Sequence, residues 1–366
     1  MENADYLSNQ LITCIGNKRA LLQFIQSGLE RIQGSLAKRK LCIFDVFSGS
    51  GVVSRFFKQY SDTLIVNDIE RYAEIINTCY LTNKSAIDLP RLRDYYNNLM
   101  YTLEIEPFSP GIISELYAPK DDASIKPDER VFYTTRNANY IDTARQYIDT
   151  LPKEYQHYFI APLLSEASIH ANTSGVFKGF YKNKKTGLGQ YGGSNQNALE
   201  RIMSDISLPF PVFSDFECEV KVFRGDAFEI ACSPGTEVDI AYCDPPYNQH
   251  PYGSNYFMLN VIADYNMPEN ISRVSGIPQD WIRSEYNKKQ KVKKALERLF
   301  SAVKAKYLLV SYNSEGYVSY REMKSLLEGI GEVTLLETSY NAFRGSRNLR
   351  GRSIHVKEYL FLVKKK

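Results

Sequence analysis

A strand-like apolar segment that ends in a glycine-rich turn constrains the fold more than any other feature of the chain. Residues 41–47 are mostly apolar, and a Ser-Gly-Ser-Gly turn at 48–51 follows them, directly before a helix-like stretch. A second strand-like segment, 63–67, ends at Asp68 and is followed by another helix-like stretch. Strands that alternate with helices in this way predict an α/β fold, in which a parallel sheet carries helices on its faces.

The alternation stops after this region and resumes more than a hundred residues later. Five further strand-like segments follow, at 219–223, 238–243, 306–311, 332–336 and 358–363. The last two predict a terminal hairpin joined by a long basic loop. Residues 111–215 contain few strand-like segments and many Asn, Gly, Lys and Tyr residues, so we predict an inserted domain there. The main α/β domain then consists of residues 1–110 and 216–366.

The composition argues against several other classes of protein. The chain is 43% hydrophobic and 24% charged with a net charge of +3, which is typical of a globular protein. No apolar run approaches the roughly 18 residues of a membrane helix, and the polar, acidic amino terminus is unlike a signal peptide. The six cysteines form no C-x-x-C pair and the four histidines are dispersed. We therefore expect a cytoplasmic protein with no metal ion and no membrane partner.

The glycine turn and Asp68 together indicate a cofactor that contains a nucleoside. Glycines allow the backbone to approach a ligand, and the start of the following helix offers unpaired N–H groups. Asp68 follows Gly51 by 17 residues, at the end of the next strand. An acid at this place in nucleotide-binding α/β folds accepts hydrogen bonds from ribose hydroxyls. This pair of features is compatible with a nicotinamide dinucleotide and with S-adenosylmethionine.

The motif Asp244-Pro245-Pro246-Tyr247 favours the second cofactor. It follows a strand-like segment, and open α/β sheets bind ligands at the carboxyl ends of their strands. The two prolines fix the backbone, so the Asp244 side chain and the Pro245 carbonyl form two fixed acceptors beside an aromatic ring. Such acceptors can hold the hydrogens of a ring-conjugated amino group and direct its lone pair at a methyl donor, while Tyr247 stacks on a flipped base. The alternative is a rigid turn with no chemical role.

These motifs resemble those of the Dam-like DNA adenine-N6 methyltransferases. The matching segments are 14–22, 45–51, 66–68, 244–247 and 310–313. In that class the glycine loop comes first, a recognition insert follows, and the D-P-P-Y motif comes last, which is the order found here. The resemblance implies a Rossmann-like class I methyltransferase sheet with helices on both faces and an inserted target-recognition domain. It also implies that S-adenosylmethionine is the methyl donor and that double-stranded DNA is the substrate.

The resemblance further implies roles for individual residues. Lys18 would bind the carboxylate of the cofactor and Asp68 its ribose, whereas Asp226 would approach its adenine ring or cap a helix. The complete set of predicted cofactor-binding residues is Lys18, Phe47, Gly49, Gly51, Asp68, Asp226 and Asp244. The predicted catalytic residues, which bind the target adenine, are Asp244, Pro245, Pro246 and Tyr247.

Two basic segments are predicted to contact DNA. The first lies in the insert, where Lys178, Lys182, Lys184 and Lys185 are interleaved with the aromatic residues Phe177, Phe180 and Tyr181. Lysines bind backbone phosphates, and we expect the rings to contact bases. The second lies between the last two strands and contains Arg344, Arg347 and Arg350, separated by small and polar residues that suit a loop around phosphates.

The sequence thus predicts a site-specific DNA methyltransferase that transfers a methyl group from S-adenosylmethionine to the exocyclic amino group of a flipped adenine. By resemblance, such an enzyme belongs to a restriction-modification system and has a restriction endonuclease as its functional partner. Two alternatives stay open at this stage. The chain could be an RNA adenine methyltransferase, or a catalytically inactive relative that only binds DNA.

Overall fold

The computed structural model describes residues 2–14, 16, 18–105, 107–193, 196–247, 249, 251–341 and 355–366. The strands are β1 Leu41–Asp45, β2 Ser61–Asp68, β3 Glu219–Arg224, β4 Val238–Cys243, β5 Ala305–Asn313, β6 Gly331–Asn341 and β7 His355–Lys365. The helices of the first half are α1 Ala4–Ser8, α2 Leu22–Leu36, α3 Val52–Lys58, α4 Arg71–Leu81, α5 Leu89–Glu104, α6 Ile112–Tyr117, α7 Thr135–Asp149 and α8 Lys153–Ile169. Those that follow are α9 Leu199–Met203, α10 Ala227–Cys232, α11 Tyr252–Asn255, α12 Phe257–Asp264, α13 Val292–Ala302 and α14 Tyr320–Ile330. In the part of the chain described, no helix has the length and apolar character needed to cross a membrane.

All seven strands belong to one sheet, in the order β3-β2-β1-β4-β5-β7-β6. Strands β1 to β5 pair in parallel, and β7 lies antiparallel between β5 and β6. Strands β2 and β3 extend the sheet on one side of β1, whereas β4 and the strands that follow extend it on the other side. A topological switch point therefore lies between β1 and β4. Ligands bind at such a point, beyond the carboxyl ends of the strands. The predicted α/β class, its Rossmann-like sheet with helices on both faces and its terminal hairpin are confirmed.

Alternating residues of each strand pack against helices on opposite faces of the sheet. Ile43 belongs to an apolar cluster with α2 and α3, whereas its neighbour Phe44 belongs to one with α10, α13 and α14. Successive side chains of a strand point to opposite faces, and a parallel sheet must be covered on both. This double burial explains why β1 and β4 are mostly apolar, with Asp45 at the end of β1 and Asp239 in β4 as the charged exceptions.

The residues between α4 and β3 are mainly helical and share a core with the rest of the chain. Helix α8 packs on α4, and α5 packs on α7. One apolar cluster contains Tyr72 of α4, Phe159 of α8 and Leu259 of α12. Because this core continues across both predicted boundaries, the division into 111–215 and the remainder stays a prediction.

Candidate active site

The glycine turn after β1 is bonded directly to the acid at the end of β2. Oδ2 of Asp68 accepts a 2.8 Å hydrogen bond from the amide of Gly49, and Oδ1 accepts a 2.9 Å bond from the amide of Glu70. Burial raises the pKa of Asp68, although these backbone bonds oppose the shift. A carboxylate oxygen has two lone pairs, so each oxygen can accept a further hydrogen bond from a ligand.

The two glycines of this turn serve different purposes. Gly51 begins α3 with a φ of +74°, and a Cβ at this position would lie 2.8 Å from Oδ1 of Asn77. Gly49 has a φ of +49°, and a Cβ there would meet no atom within 4 Å. Left-handed backbone favours glycine at both positions. Gly51 therefore also permits close packing of the turn on α4, whereas Gly49 faces open space.

A cleft lies at the carboxyl ends of β1, β2 and β4, with about 980 Å³ of empty space when the part open to solvent is included. The predicted residues that line it are Lys18, Phe47, Gly49, Asp68, Asp226, Asp244 and Pro246. Gly51, Pro245 and Tyr247 are described by the structure but do not line this cleft. The fold thus gathers most of the predicted cofactor residues and the first residue of the D-P-P-Y motif in one place.

Asp45, which we did not single out from the sequence, also lines the cleft at the end of β1. Its Oδ2 accepts a 2.6 Å hydrogen bond from Oγ of Ser54, whereas its buried Oδ1 has no hydrogen-bond partner among the described residues. Burial raises the pKa of Asp45 to about 7, despite the bond from Ser54. The available signal was its position at the end of a strand beside the glycine turn, equivalent to that of Asp68.

Lys18 and Asp244 form a buried ion pair inside this cleft. Nζ of Lys18 lies 3.1 Å from Oδ1 of Asp244 and 2.9 Å from Oε1 of Glu358, and only 4% of the Lys18 side chain is exposed. Burial raises the pKa of Asp244 to about 6, while Lys18 lowers it. For Lys18 burial opposes the charged form, but the two carboxylates raise its pKa well above the ordinary value. The ammonium group therefore remains charged beside Asp244.

Tyr247 is held on several sides next to this ion pair. Its carbonyl oxygen accepts a 2.9 Å hydrogen bond from the amide of Tyr317, and its ring packs edge-on against Tyr312 at 6.2 Å. Nζ of Lys18 lies 5.8 Å from the centre of the Tyr247 ring. The ring is therefore fixed beside Lys18, and its stacking on a base stays a prediction.

Asp226 caps helix α10. Its Oδ1 accepts hydrogen bonds from the amides of Phe228 and Glu229, at 2.9 Å and 3.3 Å. The helix cap that the sequence offered as one interpretation is therefore confirmed. The same side chain also lines the cleft, so its contact with a cofactor stays a prediction.

The segment between α12 and α13, residues 265–291, has no recognisable motif but forms one wall of the cleft. Ile282 and Tyr286 line it, and the Tyr286 ring packs edge-on against Phe47 with 5.2 Å between ring centres. Nearer its start, the carbonyl of Gly276 accepts a 2.9 Å hydrogen bond from Tyr117 of α6. The segment thus connects the helices between α4 and β3 with the cleft, although its irregular sequence predicts neither contact.

The basic segment of the insert forms a tight hairpin. Residues Lys182 and Gly189 pair across it, and Oδ1 of Asn183 accepts hydrogen bonds from the amides of Lys185 and Thr186. All four predicted lysines, Lys178, Lys182, Lys184 and Lys185, are exposed. Lys184 and Lys185 lie at the hairpin tip, where they are accessible to a phosphate backbone.

The aromatic residues of this segment correct our prediction. Phe177 and Phe180 are only 2% and 5% exposed, and both rings pack against Phe132. They belong to the core because the hairpin needs apolar anchors at its base, so they are not available to stack on bases. The predicted DNA contacts Arg344, Arg347 and Arg350 lie outside the described residues.

Comparison with known proteins places this geometry in a family. Residues 15–326 match the family model of the D12 class N6 adenine-specific DNA methyltransferases. The chain is 29% identical over 362 residues to the type II methyltransferase M.NlaIII of Neisseria lactamica, and the match covers 96% of this chain and 98% of that protein. It is also 29% identical over 329 residues to the type II methyltransferase M.CviAII of Paramecium bursaria Chlorella virus 1, covering 87% and 89%. A match to the type II methyltransferase M.FokI of Planomicrobium okeanokoites, at 26% identity, covers 96% of this chain and 52% of that protein. With Asp244 of its D-P-P-Y motif and Gly49 of its glycine turn in one cleft, the chain belongs to the D12 class N6 adenine-specific DNA methyltransferases.

Proposed function

We propose that this protein methylates the exocyclic amino group of adenine at a specific sequence in double-stranded DNA, with S-adenosylmethionine as the methyl donor. The observation that carries the proposal is the position of Asp244 at the end of β4, in the same cleft as Asp68 at the end of β2. A donor bound by Asp68 and an amino group bound by Asp244 would then be neighbours.

The residues of the cleft fit S-adenosylmethionine through their charges and their mixture of polar and apolar groups. When bound, this cofactor supplies a methyl group activated by a positively charged sulfur. Asp68 offers acceptors for ribose hydroxyls, and the unpartnered Oδ1 of Asp45 suits the ammonium group. Lys18, which also lines the cleft, would donate to the carboxylate, and Phe47 would provide an apolar wall. Ligand sites commonly combine apolar walls with a few such fixed polar groups.

Asp244 and its neighbours suit the target base. The carboxylate of Asp244 and the carbonyl of Pro245 would accept the two hydrogens of the amino group, and Pro246 keeps this backbone rigid. Tyr247 would stack on the plane of the flipped adenine. Asp244 is the stronger acceptor when it is ionised, and the same carboxylate or water would take the proton that the amino group loses. Fixed acceptors of this kind lower the barrier mainly by holding the reacting groups in orientation.

Exposed lysines of the insert would hold the DNA through its phosphates, together with the predicted arginines between β6 and β7. Residues 111–215 are accordingly proposed as the target-recognition domain. The relatives M.NlaIII and M.CviAII are named type II methyltransferases. These names support the further proposal that the protein acts in the cytoplasm as the methylating member of a restriction-modification system, with a paired endonuclease.

The proposal is tested by incubating the protein with labelled S-adenosylmethionine and unmethylated duplex DNA, and then identifying the methylated nucleoside after digestion. We expect N6-methyladenine from the wild type and none from D244A. A parallel incubation with RNA tests the first alternative, because preferential labelling of RNA adenine would overturn the DNA proposal. Cofactor binding and DNA binding without methylation of either nucleic acid would instead indicate an inactive relative.

A further inference from the structure

A third charged residue, Glu358, is part of the cluster that contains Lys18 and Asp244. It lies on β7, where it pairs with Asn313 of β5 and Thr338 of β6, and its side chain is fully buried. The family match ends at residue 326, so Glu358 lies beyond it. Neither the D-P-P-Y motif nor the glycine turn accounts for a buried acid at this position.

Glu358 lies on an inner strand of the sheet and contacts the proposed catalytic acid through Lys18. Its Oε1 accepts a 2.6 Å hydrogen bond from Oγ of Ser311 on β5 and a 2.9 Å bond from Nζ of Lys18. The same ammonium lies 3.1 Å from Oδ1 of Asp244. Because β7 is paired on both sides, Glu358 is a rigid anchor, whereas the lysine that it holds has a long and flexible side chain.

Charge balance alone does not explain this arrangement. Lys18 and Asp244 would form a neutral pair, and Glu358 adds a second carboxylate to a single buried ammonium. Removing a charge from water is costly, and an unbalanced buried cluster is more costly still. Oε2 of Glu358 is also buried and has no hydrogen-bond partner among the described residues. An arrangement that is unfavourable for stability indicates a role in function.

The contacts also distinguish the two oxygens of Asp244. Oδ1, which faces Lys18, is fully buried, yet the Asp244 side chain as a whole is 19% exposed. The exposed fraction therefore belongs to its other atoms, which include Oδ2. We propose that Glu358 is a positioning residue for methyl transfer, which holds Lys18 on Oδ1 of Asp244 and so leaves Oδ2 to accept a hydrogen from the target amino group. This inference rests on the proposed role of Asp244.

The charges around Asp244 predict how the methylation rate should depend on pH if Glu358 has this role. Burial raises its pKa to about 6, Lys18 lowers it, and Glu358 raises it. The other titratable groups that interact with Asp244 are Asp45, Tyr242, Cys243, Tyr252 and Cys14. Removing the charge of Glu358 should therefore lower the pKa of Asp244 and move the acidic limb of the rate profile to lower pH.

The test compares E358Q with the wild type in single-turnover methylation of unmethylated duplex DNA at saturating S-adenosylmethionine. We expect a rate about 10- to 100-fold lower, as for other misplaced catalytic groups, with an acidic limb at lower pH. The dissociation constant for S-adenosylhomocysteine, measured by calorimetry, should change less than the rate. E337Q is the matched control, since Glu337 is exposed on the neighbouring strand β6 and pairs with Lys357. This variant should retain the wild-type rate and profile.

Two results would overturn the inference. One is a wild-type rate and pH profile in E358Q, and the other is an equal loss of rate and cofactor binding without any shift in pH. If E358Q fails to fold, S311A decides instead, because it removes the other donor to Oε1 and keeps every charge. A rate loss with intact cofactor binding supports the inference, and an unchanged rate refutes it. Absence of methyladenine from the wild type itself would refute the proposed function instead.

Discussion

The amide of Gly49, in the turn after β1, donates a 2.8 Å hydrogen bond to Oδ2 of Asp68 at the end of β2. This bond ties together two segments that are both predicted to bind the cofactor. Asp68 therefore shapes the turn as well as offering acceptors to a ligand, and its substitution should affect the cleft in both ways.

Replacing Asp68 with alanine should weaken cofactor binding strongly. The change removes the acceptor for the amides of Gly49 and Glu70 and for the ribose hydroxyls. Hydrogen bonds to charged groups contribute about 1.5–3 kcal/mol each, so we expect the dissociation constant for S-adenosylhomocysteine to rise at least tenfold in calorimetry. D62N, an exposed change on the same strand, should bind like the wild type. Tight binding of S-adenosylhomocysteine by D68A would show that Asp68 does not bind the ribose.

Cofactor affinity should increase as the pH rises through about 7. Burial raises the pKa of Asp45 to about 7, and only its ionised form attracts an ammonium group. Calorimetric titration with S-adenosylhomocysteine between pH 6 and pH 8 should show this dependence in the wild type and in the control variant E74Q. The dependence should be weaker in D45N. If D45N keeps the full dependence, another acid is responsible. Glu70 would be the first to examine, because burial raises its pKa to about 7 as well.

Replacing Asp244 with asparagine should abolish most of the activity while cofactor binding persists. Positioned acid–base groups contribute about 10²- to 10⁴-fold, so we expect a single-turnover rate lower by a factor in that range. In the wild type the rate should fall as the pH drops through about 6, because protonated Asp244 is a weaker acceptor for the amino group and cannot take its proton. D264N, at the exposed end of α12, should match the wild type. A rate that stays constant down to pH 5 would contradict the assigned role.

Removing the two lysines at the hairpin tip should weaken DNA binding in a salt-dependent manner. Lys184 and Lys185 are exposed, and each phosphate contact contributes about 0.9 to the slope of log K against log salt. The double variant K184A/K185A should therefore lower this slope by about 1.8 in a fluorescence titration. K293A/K324A, which removes two exposed lysines from α13 and α14, is the charge-matched control. Equal slopes in the two double variants would exclude the hairpin from the DNA interface.

Replacing Gly51 with alanine should destabilise the protein more than it affects the cofactor. A side chain at this φ of +74° is strained, and its Cβ would lie 2.8 Å from Oδ1 of Asn77. We expect the free energy of unfolding to fall by about 1–3 kcal/mol in urea titrations, with little change in cofactor affinity, since Gly51 does not line the cleft. G34A is the control, and in this variant the free energy of unfolding should rise instead of fall. Gly34 lies within α2 with open space around it, so alanine there should stabilise the helix by about 0.5–1 kcal/mol.

The apolar segments determined where the strands lie, because a strand buried on both faces is apolar at most of its positions. β4 was predicted with the bounds it has, and the β6–β7 hairpin followed from the same pattern. Asp68 and Asp244 were also accessible from the sequence, because a motif at the end of a strand has a known place in a parallel sheet. For these features, local pattern and spacing are sufficient.

Only the tertiary structure decided which distant residues meet. Lys18 and Glu358 are 340 positions apart, and they touch because helix α2, which follows Lys18, packs against β7 and β5. Phe180 lies in a basic segment that looks exposed, yet the hairpin base turns it into the core. Burial likewise gives Asp45 its raised pKa. Such properties depend on strand order and on the removal of water around a side chain, and neither is encoded in the neighbouring residues of the chain.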